Sequence, residues 1–455
     1  NKAIEYFELA GFKSGAGNIY ELLASMNMNA GNLDKAEELL AKAIKYYRDA
    51  DFIIGMGNSH YTLGQIAVIK GNYTKAMVEN QKAILYYEKS GYLLGLGNVN
   101  FILGQISLIS EGDIDGVIAY NNNAEKFYIE AKYTLGLGKV AYSKGTLYFI
   151  QEKYDEAVEE IKTALKYFSA SDYGFFQILG HFALADIYMQ QPGKKALALD
   201  GLKQAIEQLE KFRSNLVRQE DRTSFYEKFS AYLQFSVVSA ISLNEPALAF
   251  RYLENIKSRT LNELLTERSV NLASKIEPEL LLERNRLEKL ITSLKTGMFT
   301  HSLDEIEANK QQLKLYEDQL DKLIFEIRTK NPAFAAVEYP KSMDIEKIRE
   351  LLDDDEVVLQ YFLGVENSWL FLNSKDNFEI IPLGATEDSI AQFGSIFLDG
   401  LRRNKFDKNI PVADMDIEEE ISLDAAKKLY AILIKPVEQK FRKDVKLTII
   451  PDGIL

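Results

Sequence analysis

Residues 57–98 read GNSHYTLGQIAVIKGNYTKAMVENQKAILYYEKSGYLLGLGN, so the stretch ends on the Gly-Asn dipeptide with which it begins. Gly17-Asn18 lies one more step of 40 residues upstream. A fixed period of about 20 to 50 residues is typical of stacked repeats, in which one unit cannot bury its own apolar face. The first half of the chain is therefore predicted to be an array of repeats with an extended surface.

Further positions recur with the same step: a Leu, two Ala separated by seven residues, and an aromatic pair. They are Leu23, Leu63 and Leu103; Ala36, Ala76 and Ala157; Ala43, Ala83, Ala124 and Ala164; and Tyr46-Tyr47, Tyr86-Tyr87, Phe127-Tyr128 and Tyr167-Phe168. Small residues are expected where helices cross closely, and the aromatic pairs should fill the wider gap to the next unit. Gly31 and Gly71 are predicted turn residues with positive φ.

This spacing resembles the tetratricopeptide repeat (TPR), in a form longer than its common period of about 34 residues. The resemblance covers residues 1–212 and implies about five repeats, the first of them truncated. It predicts antiparallel helix pairs stacked into an α-α superhelix, that is, a solenoid. Because the chain begins within a repeat and lacks an initiator Met, we expect it to be a fragment of a longer protein.

Composition narrows the function classes. The net charge of -13 argues against nucleic-acid binding, and no apolar run or signal peptide suggests a membrane protein. The chain has no cysteine, which excludes disulfides and thiolate chemistry within it and is compatible with a cytoplasmic location. The three histidines, His60, His181 and His301, are too far apart in sequence to indicate a metal cluster. We expect no cofactor and no metal.

Beyond the repeats, residues 213–275 are predicted to form capping helices, and residues 276–332 an antiparallel helical hairpin. Residues 356–363, 368–372 and 378–383 are rich in β-branched and aromatic residues and are predicted to form a three-strand meander. Helices are expected at 387–404 and 422–442, with an acidic loop at 407–420 between them. Residues 446–451 (KLTIIP) suit a strand buried on both faces.

Four segments of residues 246–455 resemble the opening of a CHAT domain, a caspase-like protease module that is associated with TPR arrays. They are PALAFRYLENIKSRTLNELL, VVLQYFLGVENSWLFL, AAKKLYAILIKPVEQKF and KLTIIPDGIL. The resemblance implies a His-Cys pair in which imidazole helps to form the thiolate nucleophile. Both residues lie downstream of the Pro-Asp-Gly turn in that family, so this chain is expected to have no peptidase activity. A bacterial source is also expected.

The predicted fold is therefore mostly α: a TPR solenoid, a helical hairpin, and the first part of an α/β caspase-like domain within residues 333–455. The TPR resemblance implies that the first helix of each pair lines a concave groove. Three positions of that helix would face a protein or peptide partner. The candidate residues are Asn18, Asn58 and Asn98; Tyr61, Phe101 and Tyr142; and Gln65 and Gln105.

A column of Asn amides suits the backbone of an extended peptide, and the adjoining aromatic column offers apolar pockets. Alternatively, each Asn satisfies backbone groups at the inter-repeat turn, and the aromatic column packs on a neighbouring domain. The first alternative predicts that Asn58→Ala with Asn98→Ala weakens partner binding and leaves the melting temperature nearly unchanged.

Other polar features have structural explanations. The acidic runs at residues 353–356 and 418–420 are expected to be solvated loop ends. Asp452 is expected to cap its own backbone in the Pro-Asp-Gly turn, and Lys257 to brace the junction between the repeats and the protease-like region. His60 has no acidic neighbour in register, so packing or solvation is expected for it.

The sequence thus predicts a partner-binding and regulatory segment of a CHAT-type cysteine protease. The alternative is a non-enzymatic TPR scaffold or adaptor protein.

Overall fold

The structure, a computed structural model, describes residues 2–170, 174–214, 219–267, 277–297, 303–330, 344–406, 412–440 and 444–455. The chain divides into two compact units, Asn1–Phe212 and Arg213–Leu455. His301, the predicted end of the hairpin at 331–332 and the start of the predicted α/β domain at 333 lie outside the described residues. The predicted division into four parts stays a prediction.

The first unit is built from helices throughout its described residues. They are α1 Lys2–Leu9, α2 Lys13–Asn29, α3 Leu33–Asp49, α4 Ile53–Ile69, α5 Tyr73–Ser90, α6 Leu93–Glu111, α7 Ile114–Glu130, α8 Thr134–Ile150, α9 Tyr154–Ala170, α10 Gly174–Met189 and α11 Lys195–Ser214. We call α2, α4, α6, α8 and α10 the first helices of their pairs, and α3, α5, α7, α9 and α11 the second helices.

Each first helix from α2 to α8 packs along its second helix, and consecutive pairs also contact each other. Contacts link α2 to α4, α4 to α6, α6 to α8 and α8 to α10 as well, so the first helices form a continuous row. The second Ala of each repeat has no exposed surface, as at Ala83 and Ala124. This arrangement confirms the mostly helical, TPR-like solenoid that the period predicts.

A second Gly-Asn dipeptide, Gly71-Asn72, forms the turn between α4 and α5. Gly71 takes φ 72°, a left-handed conformation that costs glycine little. Asn72 caps the start of α5: its side-chain oxygen accepts a hydrogen bond from the Lys75 backbone N–H at 3.0 Å. The predicted turn at this position is confirmed.

Helix α6 departs from the expectation that no segment is apolar and long enough to cross a membrane. Its 19 residues have a mean hydropathy of 1.5 over the most apolar window, half of which is buried. The helix packs against α5 and α7 inside the array, which accounts for its apolar composition. The absence of a membrane partner stays a prediction.

The second unit combines helices with a small sheet. Its described helices are α12 Gln219–Ser242, α13 Pro246–Glu267, α14 Pro278–Gly297, α15 Leu303–Lys330, α16 Ile345–Leu351, α17 Glu387–Phe406, α18 Val412–Leu433 and α19 Lys435–Glu438. Helices α14 and α15 pack together around Leu287, Leu323 and Ile327. This is the contact that the predicted helical hairpin requires.

The sheet has the strand order β3-β2-β1-β4, with strands β1 Glu356–Phe362, β2 Trp369–Ser374, β3 Phe378–Pro382 and β4 Lys446–Ile450. The first three strands pair antiparallel and confirm the predicted meander. Strand β4 pairs parallel with β1, and α17 to α19 supply the crossover that parallel pairing needs. Phe250 of α13 packs on Phe371 and Phe378, at ring distances of 6.4 and 5.5 Å.

Two predictions for the second unit are wrong. The acidic segment at 412–420 is not a loop, because α18 begins at Val412. Strand β4 is not buried on both faces either: it lies at the edge of the described sheet, with Leu447 40% and Ile449 50% exposed. Its apolar composition alone did not reveal which strand lies at an edge.

Candidate functional site

The eight predicted groove residues all lie on the row of first helices. Helix α2 carries Asn18; α4 carries Asn58, Tyr61 and Gln65; α6 carries Asn98, Phe101 and Gln105; and α8 carries Tyr142. Asn18 and Gln105 are exposed, and the other six are half-buried. We call this surface of α2, α4, α6 and α8 the first-helix face.

Each of the three Asn residues accepts a hydrogen bond from a tyrosine of its own repeat. The hydroxyl groups of Tyr47, Tyr87 and Tyr128 donate to Oδ1 of Asn18, Asn58 and Asn98, respectively, at 2.9 Å in every case. The tyrosine is the second residue of the recurring aromatic pair. The prediction that these Asn residues satisfy backbone groups at the turn is therefore wrong, because their partner is a side chain of the second helix.

The glycine of each Gly-Asn dipeptide makes room for the same tyrosine. A Cβ on Gly57 would lie 2.5 Å from the Tyr87 ring, and a Cβ on Gly97 would lie 2.6 Å from the Tyr128 ring. The Tyr87 ring also lies against Gly95 of the next repeat, where a Cβ would approach it to 2.8 Å. The Gly-Asn dipeptide thus recurs because its two residues hold one aromatic ring and its hydroxyl group.

Burial keeps the tyrosine hydroxyl groups protonated, as these hydrogen bonds require. It raises the pKa of Tyr87 and Tyr128, and that of Tyr47 together with the nearby Glu21, so all three hydroxyl groups stay protonated and act as donors. Each Asn accepts through Oδ1, so its Nδ2 remains a donor. Among the residues that the structure describes, Nδ2 of Asn18, Asn58 and Asn98 has no hydrogen-bond partner.

The aromatic residues of the first-helix face contribute to the core of the array. Tyr61 packs against the cluster around Tyr87, Phe101 against the cluster around Tyr128, and Tyr142 against the cluster around Phe168. Burial raises the pKa of Tyr61, and the neighbouring Gln65 amide opposes that effect. These side chains are half-buried in their own array, so packing on another domain is not needed to explain them.

The fourth repeat differs from the others. Lys139 takes the place of Asn, and Phe168, which has no hydroxyl group, takes the place of Tyr. A Cβ on Gly138 would lie 2.6 Å from the Phe168 ring, so the ring packs as in the other repeats. The Lys139 ammonium lies 5.1 Å from the centre of the Phe176 ring, and burial lowers its pKa.

Sequence reasoning missed a partly buried pair at His60. Its Nδ1 lies 2.7 Å from Oε2 of Glu79, and its ring stacks on Tyr86 at 5.4 Å. Lys82 donates to the other Glu79 oxygen at 2.8 Å. The expectation that His60 lacks an acidic partner is wrong, because Glu79 lies on the second helix rather than on the same one. The antiparallel helix pairing would have indicated it.

A second polar cluster ties α13 to the ends of β1 and β4. Lys257 donates to the Pro451 carbonyl at 2.7 Å and forms an ion pair with Asp452. The other Asp452 oxygen accepts from the Leu363 backbone N–H at 2.8 Å. The prediction that Asp452 caps its own backbone is therefore wrong, since the carboxylate joins a strand and a helix instead.

Burial dominates the electrostatics of this cluster. It lowers the pKa of Lys257 despite the opposing Asp452 charge, and it raises the pKa of Glu254, which accepts from the Gln360 amide at 2.8 Å. Within the second unit these contacts fix α13 on the sheet.

The acidic run at residues 353–356 is paired with lysines. Lys446 lies 3.2 Å from Asp353 and 3.6 Å from Asp355, and Lys375 lies 2.5 Å from Asp354. No group of three metal-ligating side chains was found among the described residues. The side chains of residues 418–420 lie outside them.

No protein-family model and no curated protein matches this sequence. Solved structures with a similar arrangement include MamA, with 19% identity and a TM-score of 0.30 over 43% of this chain and 92% of MamA. RapI in its apo form has 12% identity and a TM-score of 0.42 over 69% and 98% of the two chains. A Rap protein complexed with Competence and Sporulation Factor has 12% identity and a TM-score of 0.40 over 68% and 76%.

Proposed function

We propose that the first-helix face binds an extended peptide segment of a partner protein. The observation that carries this proposal is the row of Asn18, Asn58 and Asn98. In each, Oδ1 accepts from a tyrosine, and Nδ2 has no partner among the described residues. TPR-like repeat proteins are generally scaffolds for protein interactions.

The chemistry of the row suits a peptide backbone. Amide N–H groups that recur once per repeat can donate to backbone carbonyls of an extended chain, whatever its side chains are. The half-buried rings of Tyr61, Phe101 and Tyr142 lie three positions further along their helices and offer apolar contact for side chains of the ligand. Affinity would come from the amides, and selectivity from the surface around the rings.

The test must separate binding from stability, because each Asn also holds a tyrosine. Asn58→Asp with Asn98→Asp keeps an acceptor oxygen for the Tyr87 and Tyr128 hydroxyls but replaces the amide donor by a second acceptor. The matched control is Asn122→Asp with Asn123→Asp, the same change at two exposed positions of α7. The probe is a synthetic array of random decapeptides, and binders are then measured by fluorescence polarisation.

We expect the unchanged chain to bind a subset of the peptides, the Asn58/Asn98 variant to bind them at least tenfold more weakly, and the control to bind like the unchanged chain. Circular dichroism must show the same helical content for all three. If the two double variants bind equally well, the Asn row is not a ligand site. If no peptide binds to the unchanged chain, the proposed function itself fails.

For residues 246–455 we propose the front part of a CHAT-like, caspase-related module, so that the repeats recruit a partner for a regulated protease. The three-strand meander, the parallel β4 and the seating of α13 on the sheet support this proposal. The 455 residues contain no cysteine, so they supply no cysteine nucleophile themselves. A non-enzymatic cytoplasmic scaffold is the alternative.

The gene sequence downstream of this segment distinguishes the protease from the non-enzymatic scaffold. A His-Gly segment followed by a Cys after an apolar strand, encoded downstream of KLTIIPDGIL, would support the protease. An open reading frame without them would support the scaffold.

A further inference from the structure

The second helices of the array lie side by side, and each exposes one line of residues. Glu37 of α3 accepts a hydrogen bond from Lys75 of α5 at 2.9 Å, so these neighbouring second helices are in contact. On α5, Ala76, Ala83 and Tyr87 are buried, and the opposite side of the helix is exposed. We call the exposed lines of α3, α5, α7 and α9 the second-helix face.

Three of these lines carry their charges in the same order. Each begins with acidic residues and ends with a lysine, and all of these side chains are exposed. The residues are Asp34, Glu38 and Lys45 in α3; Asp115 and Lys126 in α7; and Asp155, Glu159 and Lys166 in α9. This order complements the helix macrodipole, which favours carboxylates near the N-terminus and cations near the C-terminus.

Helix α5 departs from this order. Thr74, Val78 and Leu85 occupy the corresponding positions, so its line has no charge there. Val78 is 44% exposed and Leu85 is 66% exposed. The macrodipole does not explain an exposed valine and leucine at positions where α3 and α9 have a carboxylate and an ammonium. An apolar centre with a charged rim is instead typical of a protein–protein interface.

The charged rim is complementary to a second copy of itself in one orientation. With a two-fold axis along the row of second helices, each helix meets its own counterpart antiparallel. Glu38 then lies opposite the partner's Lys45, and Val78 lies opposite the partner's Leu85. A two-fold axis parallel to the helices would instead place Lys45 opposite the partner's Lys126, which is repulsive.

The lysines at the ends of the three lines are available for contacts with a second copy. In the part of the chain that the structure describes, Lys45, Lys126 and Lys166 form no ion pair. Lys42, by contrast, lies 2.9 Å from Glu38 of its own helix. Because exposed ion pairs contribute little to affinity, the rim should set the orientation, and burial of the apolar centre should supply the affinity.

We infer that the second-helix face forms a two-fold dimer of this chain, with Val78 and Leu85 of α5 at its centre and the helices of the two copies antiparallel. The dimer uses other helices than the first-helix face. It therefore goes beyond the proposed function and does not depend on it.

The first experiment is sedimentation velocity of the 455-residue chain over a concentration series. Leu85→Lys gives α5 the residue that α3, α7 and α9 have at this position. The matched control is Leu197→Lys, the same change at an exposed leucine of α11. Circular dichroism must show the same helical content for all three proteins.

We expect the unchanged chain and the Leu197 variant to become dimers as the concentration rises, and the Leu85 variant to dimerise at least about tenfold more weakly. A chain that stays monomeric at every concentration would overturn the inference. Dimerisation of the Leu85 variant with unchanged affinity would overturn it as well, because the dimer would then use another surface.

The orientation is tested by exchanging charges. Lys45→Glu and Glu38→Lys should each weaken self-association, because like charges then face each other twice. A mixture of the two variants should form a heterodimer, since each copy then presents two charges of the sign opposite to its partner's. Sedimentation with one fluorescently labelled variant measures this. A mixture that associates no better than either variant alone would overturn the antiparallel arrangement.

The absence of cysteine from the chain allows a direct check of the two-fold axis. Gln81 is exposed between Val78 and Leu85, so Gln81→Cys should lie close to its own counterpart and form a disulfide-linked dimer under mild oxidation. Thr146→Cys, at an exposed position of α8, is the control and should not form one. Equal cross-linking of the two variants would contradict a dimer centred on α5.

Discussion

The repeat of α6 and α7 and the repeat of α8 and α9 share their packing but not their polar chemistry. In both, a glycine lets an aromatic ring approach the first helix, with a Cβ distance of 2.6 Å at Gly97 and at Gly138. At the polar position, the α6–α7 repeat has a hydrogen bond from Tyr128 to Asn98. The α8–α9 repeat has Lys139 and Phe168 there instead. Both repeats therefore keep the ring and the glycine, whereas the polar position changes.

The largest loss of stability should come from disrupting the contact between glycine and ring that the two repeats share. Gly97→Ala and Gly138→Ala each place a methyl group inside contact distance of a fully buried ring, and we expect each to lower the free energy of unfolding by about 2 kcal/mol. The control is Gly394→Ala in α17, where a Cβ meets nothing within 4 Å and Ala should stabilise the helix by up to about 1 kcal/mol. Urea unfolding followed by circular dichroism measures all three. Unchanged stability of the first two variants would contradict the packing argument.

A smaller loss of stability should come from removing the Asn98–Tyr128 hydrogen bond, which the α8–α9 repeat lacks. Tyr128→Phe removes the hydroxyl group that donates to Asn98 and should cost about 1 kcal/mol. Asn98→Ala should cost a similar amount, because the half-buried hydroxyl loses its acceptor; this replaces the expectation of a nearly unchanged melting temperature. In a double-mutant cycle the coupling should be about 0.5–1.5 kcal/mol. Strictly additive effects would show that the hydrogen bond contributes nothing.

The partly buried pair of His60 in α4 and Glu79 in α5 gives the array a pH dependence. Burial raises the pKa of Glu79, but hydrogen bonds from Lys82 and His60 outweigh it and leave this pKa below its usual value. A carboxylate with a depressed folded-state pKa stabilises the fold above its unfolded pKa of about 4.3 and loses that contribution as the pH falls through the folded value.

We therefore expect Glu79→Gln to be less stable than the unchanged chain at pH 7, by at most about 1 kcal/mol, with a difference that shrinks below about pH 4.3. Thermal melts at a series of pH values measure it. A difference that grows on acidification would contradict the assignment.

The smallest effect should come from the surface between the first two repeats. Glu37 accepts from Lys75 at 2.9 Å and lies 3.2 Å from Lys70, all partly exposed. Glu37→Gln should cost less than about 1 kcal/mol and should cost nothing measurable at 1 M salt, since exposed pairs are screened. A salt-independent loss in thermal melts would show that the pair acts through packing instead.

Much of the fold was predictable because it follows from periodicity. The step of 40 residues, the recurring Ala and Leu positions and the three short strands predicted the helix pairs and the meander. The wrong predictions concern features that periodicity does not determine, namely the strand order and the start of a helix. Strand β4 is as apolar as a central strand, yet its position at the edge depends on pairing with β1. The start of α18 at Val412 lay within an acidic stretch that looks like a loop.

For the candidate site, the sequence predicted residues that share the row of first helices, but it did not predict their side-chain partners. Asn58 and Tyr87 are 29 residues apart in the chain, and their hydrogen bond depends on how two antiparallel helices face each other. The same applies to His60 with Glu79 and to Asp452 with Leu363. Side-chain pairs between two elements can be predicted only when the helix packing and the strand order are known. Residues that share one face of a helix can be predicted from their spacing alone.

The rings held between glycines of neighbouring repeats have a consequence for folding. Because Tyr87 lies on Gly57 of its own repeat and on Gly95 of the following one, neither repeat completes its interior alone. Unfolding one repeat removes packing contacts from its neighbour, so nearest-neighbour coupling should dominate the folding of the array. We expect such repeats to melt in a single cooperative transition rather than one by one.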